Sequence, residues 1–454
     1  MRTIFITVFE GVESKNILHT DLFKTLLADP DVRPVLFVKN KERLEYHRRE
    51  FPDPRIRYEV VQIKRPRGID RFFSRFKFLL LDTETSRVRR QMVLAQRGTR
   101  RAFAIYLIAV FLQKIFARRF FIKIAQALDY ALVRDTAYAG FFERYNPDVV
   151  LCADLFDDPE TNLLREAKKR GVKNVGLINS WDKPTARSVL RLVPQKLMVF
   201  NELLKRDMMT RHGVSEEDIF VGGPPQYDEY FTGTRGTRDD FLREIGCDPK
   251  KKLIVYSPLG SAFTNSDWEW IDALWAMHAG GFFGRDTEFF VRFPPYDTID
   301  GEALKKRPHL KYDYPGARFS SRRLTEWDMT SREVAHLADT LLHMSLLICH
   351  ASSISVDAAV FDKPVINVDF EVSERERFPD LQKRLYRMDH YAKALASGGI
   401  RLVGSKAELA EWVKKYLADS LLDREGRERL VREQCAFLDG KSGERMGKFI
   451  LGLQ

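Results

Sequence analysis

Apolar runs of strand length recur along the chain, and most are followed by a longer stretch of helical period. Residues 3–9, Thr-Ile-Phe-Ile-Thr-Val-Phe, run into the turn Glu10-Gly11-Val12-Glu13-Ser14. An apolar run of this length, bounded by turn residues, predicts a strand buried on both faces. A helix is predicted over residues 16–27, then strands over 35–38 and 57–63. The alternation stops at Lys64 and resumes at residues 147–154, a buried strand ending in Asp154. A helix over 160–170, strands over 175–179 and 196–200, and the segment 218–225 close a first unit. Residues 233–249, rich in Gly, Arg and Asp, read as a connection. The cycle then restarts with strands over 253–257, 288–292, 346–349 and 365–368 and helices over 268–278, 332–340 and 353–361. Late helices are predicted over 407–418 and 423–437.

Strands alternating with helices predict parallel sheets. The expected class is α/β: two Rossmann-like, doubly wound domains facing a cleft, over residues 1–235 and 236–454. The last helix is a candidate to cross back to the first domain. A chain of 454 residues exceeds one core and suits two domains of roughly 200 residues each. Open α/β sheets take ligands at the carboxyl ends of their strands.

Charge changes this picture at one place. The chain carries a net +11, but residues 64–123 hold 16 Lys and Arg against three acids, so the rest is slightly acidic. A local basic excess calls for a local partner. Within this insertion, residues 64–128, aromatics interleave with Arg71 and Arg75, and the apolar run 102–112 precedes Lys114, Arg118 and Arg119. Eleven apolar residues are too few to span a bilayer. Phe, Leu and Arg together suit an anionic membrane surface, with Arg71, Arg75, Arg118 and Arg119 as the contacts. A helical hairpin packed on the domain is the competing reading. No nucleic-acid recognition motif is present, and nucleic acid is not expected as a partner. Four widely spaced cysteines without a CxxC pair read as buried thiols in a reducing, cytoplasmic setting.

The richest chemistry lies in Leu346-Leu-Ile-Cys-His350-Ala-Ser352-Ser353-Ile-Ser355-Val-Asp357, followed by a Lys363-Pro364 turn. A strand runs into small polar residues at a helix start, where amide N–H groups, hydroxyls and the helix dipole favour a diphosphate. Asp357, one turn in, is placed for ribose hydroxyls. The plainer reading is that Ser352 and Ser353 cap a helix.

This segment resembles the donor loop of GT-B transferases in the group that contains nucleotide-sugar 2-epimerases and CDP-glycerol glycerophosphotransferases. Other stretches match in the same order. Asn179-Ser-Trp181-Asp182-Lys183-Pro-Thr resembles a turn of bacterial surface-polysaccharide transferases. Gly222-Gly223-Pro-Pro-Gln226-Tyr-Asp228 resembles the loop ending their first domain. Arg292-Phe-Pro294-Pro resembles their Arg-x-x-Pro segment, and Asp439-Gly440-Lys441 with Arg445 their closing helix. The resemblance covers about residues 147–454 and implies a nucleotide-sugar donor, with a UDP-sugar favoured, no metal and no separate cofactor. The chain lacks the His-x-Glu-Ala-Gly turn of the epimerases and the His-Gly-Thr turn and Arg-x-His-Pro histidine of the glycerophosphotransferases. Those absences favour sugar transfer.

Acids at strand ends are the natural bases for an acceptor hydroxyl. Asp154, Asp182 and Glu13 are the catalytic candidates, with Glu10, Gly11, Trp181, Lys183, Gly223 and Gln226 lining the cleft. Arg292, Ser257, Gly260, His350, Ser352, Ser353, Ser355 and Asp357 are the donor-binding candidates. The expected function is glycosyl transfer to a membrane-proximal or lipid-linked glycan acceptor in cell-surface polysaccharide or glycolipid synthesis, at the inner face of the membrane. A nucleotide-sugar 2-epimerase, a CDP-polyol phosphotransferase and a non-catalytic nucleotide-binding relative remain as alternatives.

Overall fold

The computed structural model describes residues 1–453 except Thr234, residues 320–326, Glu374, Arg375, Arg377 and Pro379. The chain divides into two compact units, Met1–Phe231 with Gln434–Gln454, and Thr232–Glu433.

The first unit is built on strands β1 (Arg2–Thr7), β2 (Val32–Val38), β3 (Arg57–Val60), β4 (Val149–Cys152), β5 (Lys173–Leu177), β6 (Lys196–Val199) and β7 (Ile219–Val221). They form one sheet in the order β3-β2-β1-β4-β5-β6-β7, with every pairing parallel. Register sets Ile4 against Val149 and Ile6 against Leu151, and all four are fully buried. The strand order reverses between β1 and β4, which opens a crevice at their carboxyl ends.

The helix expected over residues 16–27 is broken. Residues Gly11–Glu13 form a short turn of helix, Ser14–Leu18 make one wide π turn, and Asp21–Ala28 continue as a regular helix. The N–H of His19 reaches back to the carbonyl of Ser14 at 3.1 Å, and the Thr20 hydroxyl bonds the carbonyl of Ile17 at 2.8 Å. π turns of this kind recur at functional sites, and this one carries the loop that bears Glu13.

The segment Gln434–Gln454 returns to the first unit. Its helix Ser442–Leu451 lies on the helix Asp21–Ala28. A Cβ on Gly443 would come within 2.5 Å of the Leu22 amide nitrogen, and one on Gly447 within 2.7 Å of Thr25 Cβ. Two glycines four residues apart put both on one helix face and let the backbones touch. Asp228 caps this helix by accepting from the amides of Ser442 at 2.9 Å and Gly443 at 2.6 Å.

The basic insertion folds into helices Gly68–Phe76, Glu84–Arg97, Arg100–Phe116 and Arg119–Leu132. Its inner side is anchored. Leu80, Leu81, Ile122 and Ala125 make a small core with Val189. Asp129 accepts from Arg165 at 2.6 Å and from Arg191 at 2.7 Å, and all three are buried. Its outer side leaves Phe72, Phe103, Leu107, Phe111 and Phe120 exposed, the last two at 64% and 68%. Among the described residues, no helix is long and apolar enough to cross a membrane.

The second unit has strands β8 (Lys252–Ser257), β9 (Thr287–Arg292), β10 (Lys311–Asp313), the hairpin β11 (Ala317–Arg318) and β12 (Trp327–Asp328), then β13 (Leu346–Cys349), β14 (Val365–Val368) and β15 (Arg401–Val403). The parallel sheet runs β10-β9-β8-β13-β14-β15, so its order reverses between β8 and β13. Its core includes Ile254, Tyr256, Trp270, Val291, Ile348 and Ile366.

Candidate functional site

In the first unit, the loops after β1, β4 and β5 bring together Glu13, Asp154 and Lys183. The Lys183 ammonium donates to Asp154 in an ion pair whose side chains are 6% and 2% exposed. Carboxylate oxygens of Glu10, Glu13 and Asp154 all lie within 4.8 Å of one another. Glu13, only 1% exposed, accepts from the Phe9 amide and from the Glu10 amide at 3.1 Å. The Asp154 amide donates to Glu160 at 2.7 Å, which adds a further acid, fully buried.

Carboxylates crowded in a low-dielectric site cannot all ionise. Burial, then Glu10 and Asp154, push the Glu13 carboxyl up to about 8, against the opposing pull of Lys183 and the Phe9 amide. Asp157 is pushed up to about 6 by burial and then by Asp154 and Glu10. Burial holds Glu160 well above the usual carboxylate range, with Glu13 and Asp154 adding to it. For Lys183, burial works toward a lower value, but Asp154 and Glu13 outweigh it and raise the ammonium. The group thus has more acids than one cation neutralises, and it retains a proton near neutral pH. Glu10, Glu13 and Asp154 are also the set among the described residues that can close on a cation.

Asp182 starts the short helix Lys183–Ala186 and accepts from the Ser180 hydroxyl at 2.5 Å. Trp181 and Asp182 are half-buried, and Gly11 is buried at the start of the helical turn that carries Glu13. Glu10 also pairs with Lys39 at 3.4 Å. Gly223 and Gln226 follow β7, where the turn Pro225–Tyr227 lies against the π turn Ser14–Leu18. Gly223 packs against Ser442 of the returning helix, and Gln226 sits in the turn Pro225–Tyr227.

In the second unit, the loop after β8 is held by carboxylates. Asp267 accepts from the Leu259 amide at 3.1 Å and the Gly260 amide at 2.9 Å. Burial and then Asp297 push Asp267 up to about 7, and those two amides oppose the shift. Ser261 donates to Asp297 at 2.5 Å, and Tyr296 donates to the Leu259 carbonyl at 2.9 Å. Gly260 has φ +96°, and a Cβ there would meet the Tyr296 ring at 2.9 Å. Ser257 is buried at the end of β8.

Across the reversal point, Ser352 is half-buried and Ser353 exposed ahead of the helix Ile354–Val360. No side-chain cap bond forms at Ser353, so capping is not its role. Asp357 is buried in the first turn of that helix. Three of the expected donor contacts are buried. His350 is 1% exposed, bonds the Tyr256 hydroxyl at 2.9 Å and packs edge-on to Trp270. Burial pushes its imidazole down to about 4, so at neutral pH it brings no charge to a phosphate. Ser355 is fully buried, with its hydroxyl 2.9 Å from that of Tyr391. Arg292 is buried and pairs with Asp313 at 2.7 Å. Each of these polar groups stands at a strand end or first helical turn but is used to pin the loops.

Sequence reasoning missed Glu160, Asp157, Asp267 and Arg187. The acid-rich run Asp154-Leu-Phe-Asp157-Asp158-Pro-Glu160 was a usable signal, since it follows a buried strand directly.

No family model matches the chain. A curated relative, the UDP-N,N'-diacetylbacillosamine 2-epimerase (hydrolyzing) of Legionella pneumophila, is 25% identical over 267 residues, which are 56% of this chain and 64% of that protein. The chain thus matches just under two thirds of that relative's length. Among solved structures, the wall teichoic acid polymerase TagF superposes with a TM-score of 0.54 at 12% identity, over 99% of this chain and 88% of that one. The fold is GT-B. The UDP-GlcNAc 2-epimerase of Neisseria meningitidis bound to UDP-GlcNAc gives 0.53 at 10% identity, over 99% and 100% of the two chains. A glycosyltransferase of Rickettsia africae gives 0.50 at 11%, over 100% and 99%. In this GT-B chain, the acid cluster belongs to the first unit and the serine turn to the second.

Proposed function

We propose that the protein is a glycosyltransferase that moves a sugar from a nucleotide-sugar, with a UDP-sugar favoured, to a membrane-proximal or lipid-linked glycan acceptor. The observation that carries this reading is Glu13, a buried carboxyl with a pKa of about 8 among Glu10, Asp154 and Lys183. A base tuned to the working pH is what activation of a sugar hydroxyl requires. In the proposed step the acceptor oxygen gives its proton to Glu13 and forms the new bond to the anomeric carbon. The bond from that carbon to the donor phosphate breaks, and the nucleoside diphosphate leaves with the electron pair. In the second unit, the Ser352 and Ser353 turn and the loop at Ser257 and Gly260 serve the diphosphate through hydroxyls and amides.

Location belongs to the same reading. Arg71, Arg75, Arg118 and Arg119 are all exposed beside Phe72 and Phe120, which supports docking on an anionic membrane at the cytoplasmic side. Four buried cysteines, none in a disulfide, suit that compartment.

The test is a thermal-shift series with UDP-, GDP-, CDP- and dTDP-sugars, followed by transfer assays with the donor that raises Tm. Absence of any shift overturns the donor reading. Sedimentation with anionic vesicles tests location, and unchanged binding after Arg-to-Ser changes at Arg71, Arg75, Arg118 and Arg119 overturns it. The Legionella relative favours a second reading, nucleotide-sugar 2-epimerisation. UDP-GlcNAc incubated alone decides between them: a 2-epimer formed without acceptor replaces the transferase reading.

A further inference from the structure

The basic insertion contains a cavity of about 320 Å³ between the helices Glu84–Arg97 and Arg100–Phe116. That volume falls in the range of small-molecule sites. Its wall is largely carbon, from Phe78, Val93, Leu94, Ile105, Tyr106 and Ala109. Four arginines, Arg89, Arg90, Arg97 and Arg187, also line it, and none of the lining residues is acidic.

The two inner arginines are held by neutral partners. Arg89 donates to the carbonyl of Ala186 at 2.7 Å. Arg90 donates to the Gln113 side chain and to the carbonyl of Phe78 at 2.7 Å. The nearby Asp82 carboxylate is taken by Arg87 at 3.0 Å. Partly buried cations whose hydrogen bonds end on neutral groups favour an anion. Burial lowers both guanidiniums from their ordinary value, and the charges of Asp182 on Arg89 and Asp82 on Arg90 offset it only in part.

The position of the cavity connects two features that are otherwise separate. On one side, the helix Arg100–Phe116 turns Ala102, Tyr106 and Ala109 inward while Phe103, Leu107 and Phe111 stay exposed. On the other side, the wall includes Ala186 and Arg187, directly after the turn that carries Asp182 and Lys183. The Thr83 hydroxyl bonds the Thr185 carbonyl at 2.7 Å, so the insertion is fastened to that turn. Arg187 lies within the electrostatic reach of Asp154, Asp157, Asp182 and Glu10.

We infer that this cavity binds the acceptor through its lipid phosphate: an apolar chain between the two helices, with phosphate on Arg89, Arg90 and Arg187. This inference rests on the acceptor reading above and names the class of acceptor, an alkyl or isoprenyl phosphate carrying the group to be glycosylated. Apolar wall and cationic rim together exclude a free sugar, which has neither chain nor charge. The acceptor enters from the exposed face of the helix Arg100–Phe116, and its phosphate stops beside the acid cluster.

The probe is decyl phosphate, below its micellar concentration, titrated into the full chain by calorimetry, with decanol and inorganic phosphate as separate arms. Binding of decyl phosphate at least tenfold tighter than either arm is expected. Ala109→Trp, which fills the cavity, should weaken it at least tenfold while leaving vesicle sedimentation unchanged. Arg90→Gln should weaken decyl phosphate tenfold and leave decanol unaffected. Equal binding by Ala109→Trp, or binding of inorganic phosphate as tight as that of decyl phosphate, overturns the inference. A photoreactive diazirine alkyl phosphate gives an answer on the unaltered chain: labelling within Glu84–Phe116 supports the site, and labelling elsewhere overturns it. If decyl phosphate binds here but no nucleotide-sugar shifts Tm, the cavity stands and the transferase reading falls. If nucleotide-sugars bind and Ala109→Trp has no effect on decyl phosphate, the cavity alone falls.

Discussion

The loops at the reversal point of the first sheet leave charges facing one another, while those of the second sheet pair most of theirs off. Around Glu13, the acids Glu10, Asp154, Asp157 and Glu160 crowd about the buried Lys183, with Lys39 and Arg187 farther out. Around Ser352, Arg292 is closed on Asp313, Ser261 on Asp297, and Thr264 and Ser266 on Glu376. The raised acid there, Asp267, is engaged with two amides of the loop it holds. Proton transfer needs a group whose charge is unsettled at working pH. Holding a diphosphate needs rigid donors with settled charge. Under the proposed function, the difference puts proton transfer in the first unit and donor positioning in the second.

The sharpest way to break this contrast is Glu13→Gln. A positioned base contributes about 10²- to 10⁴-fold, so kcat should fall by that factor, with Tm at pH 7 held or raised because Gln copies the neutral carboxyl. Retention of more than a tenth of the parent rate would remove Glu13 from the chemistry. The parent kcat/KM should also climb from pH 6 toward an inflexion near 8, and that limb should vanish in the variant.

The stability signs are opposite in the two units. Glu13 is raised when folded, so its contribution is complete below the unfolded value near 4.5 and is lost as pH rises through about 8. His350 is lowered when folded, so its contribution is complete above 6.5 and is lost as pH falls through about 4. Urea melts of Glu13→Gln and His350→Gln against the parent, at several pH values, should therefore diverge in opposite directions.

Next in size is Lys183→Met. It strands the Asp154 carboxylate in the interior, at a cost of about 3–5 kcal/mol by urea unfolding. Adding Asp154→Asn should recover most of it, and no recovery would mean the pair is not the cause. Arg292→Met should cost less, about 2 kcal/mol, because Asp313 keeps His336 at 2.8 Å and some contact with water. Smallest is Ser353→Ala. With no cap bond to lose, stability should change by less than about 0.5 kcal/mol, while the Kd for a nucleotide-sugar rises about tenfold. A large loss of stability instead would return Ser353 to a structural role.

Much of the fold was legible because buried parallel strands leave unbroken apolar runs. Residues 3–9, 147–154 and 346–349 announce β1, β4 and β13 with errors of a residue or two. The acid after such a run was legible too, as Asp154 shows. What a run cannot display is which way a polar side chain turns at its end. His350 and Ser355 read as donor-binding because they follow a strand, and their buried contacts with Tyr256 and Tyr391 come from elements the local pattern does not reveal. Glu160 was hidden for the opposite reason: an acid in a first helical turn looks like an ordinary favourable charge. The π turn Ser14–Leu18 left no trace in the periodicity, since one extra residue per turn is lost within so short a segment.

The returning helix Ser442–Leu451 has a consequence for how the chain is made. The helix Asp21–Ala28 stands next to the loop bearing Glu13, and its glycine-matched partner is encoded more than 400 residues later. Synthesis runs from the N-terminus and domains fold as they emerge. The first unit begun is therefore the last one finished, and every residue of Thr232–Glu433 leaves the ribosome before the helix Asp21–Ala28 is covered. A nascent chain halted anywhere in that stretch exposes an apolar helix face next to an unfinished acid cluster, so the first unit depends on synthesis reaching the helix Ser442–Leu451.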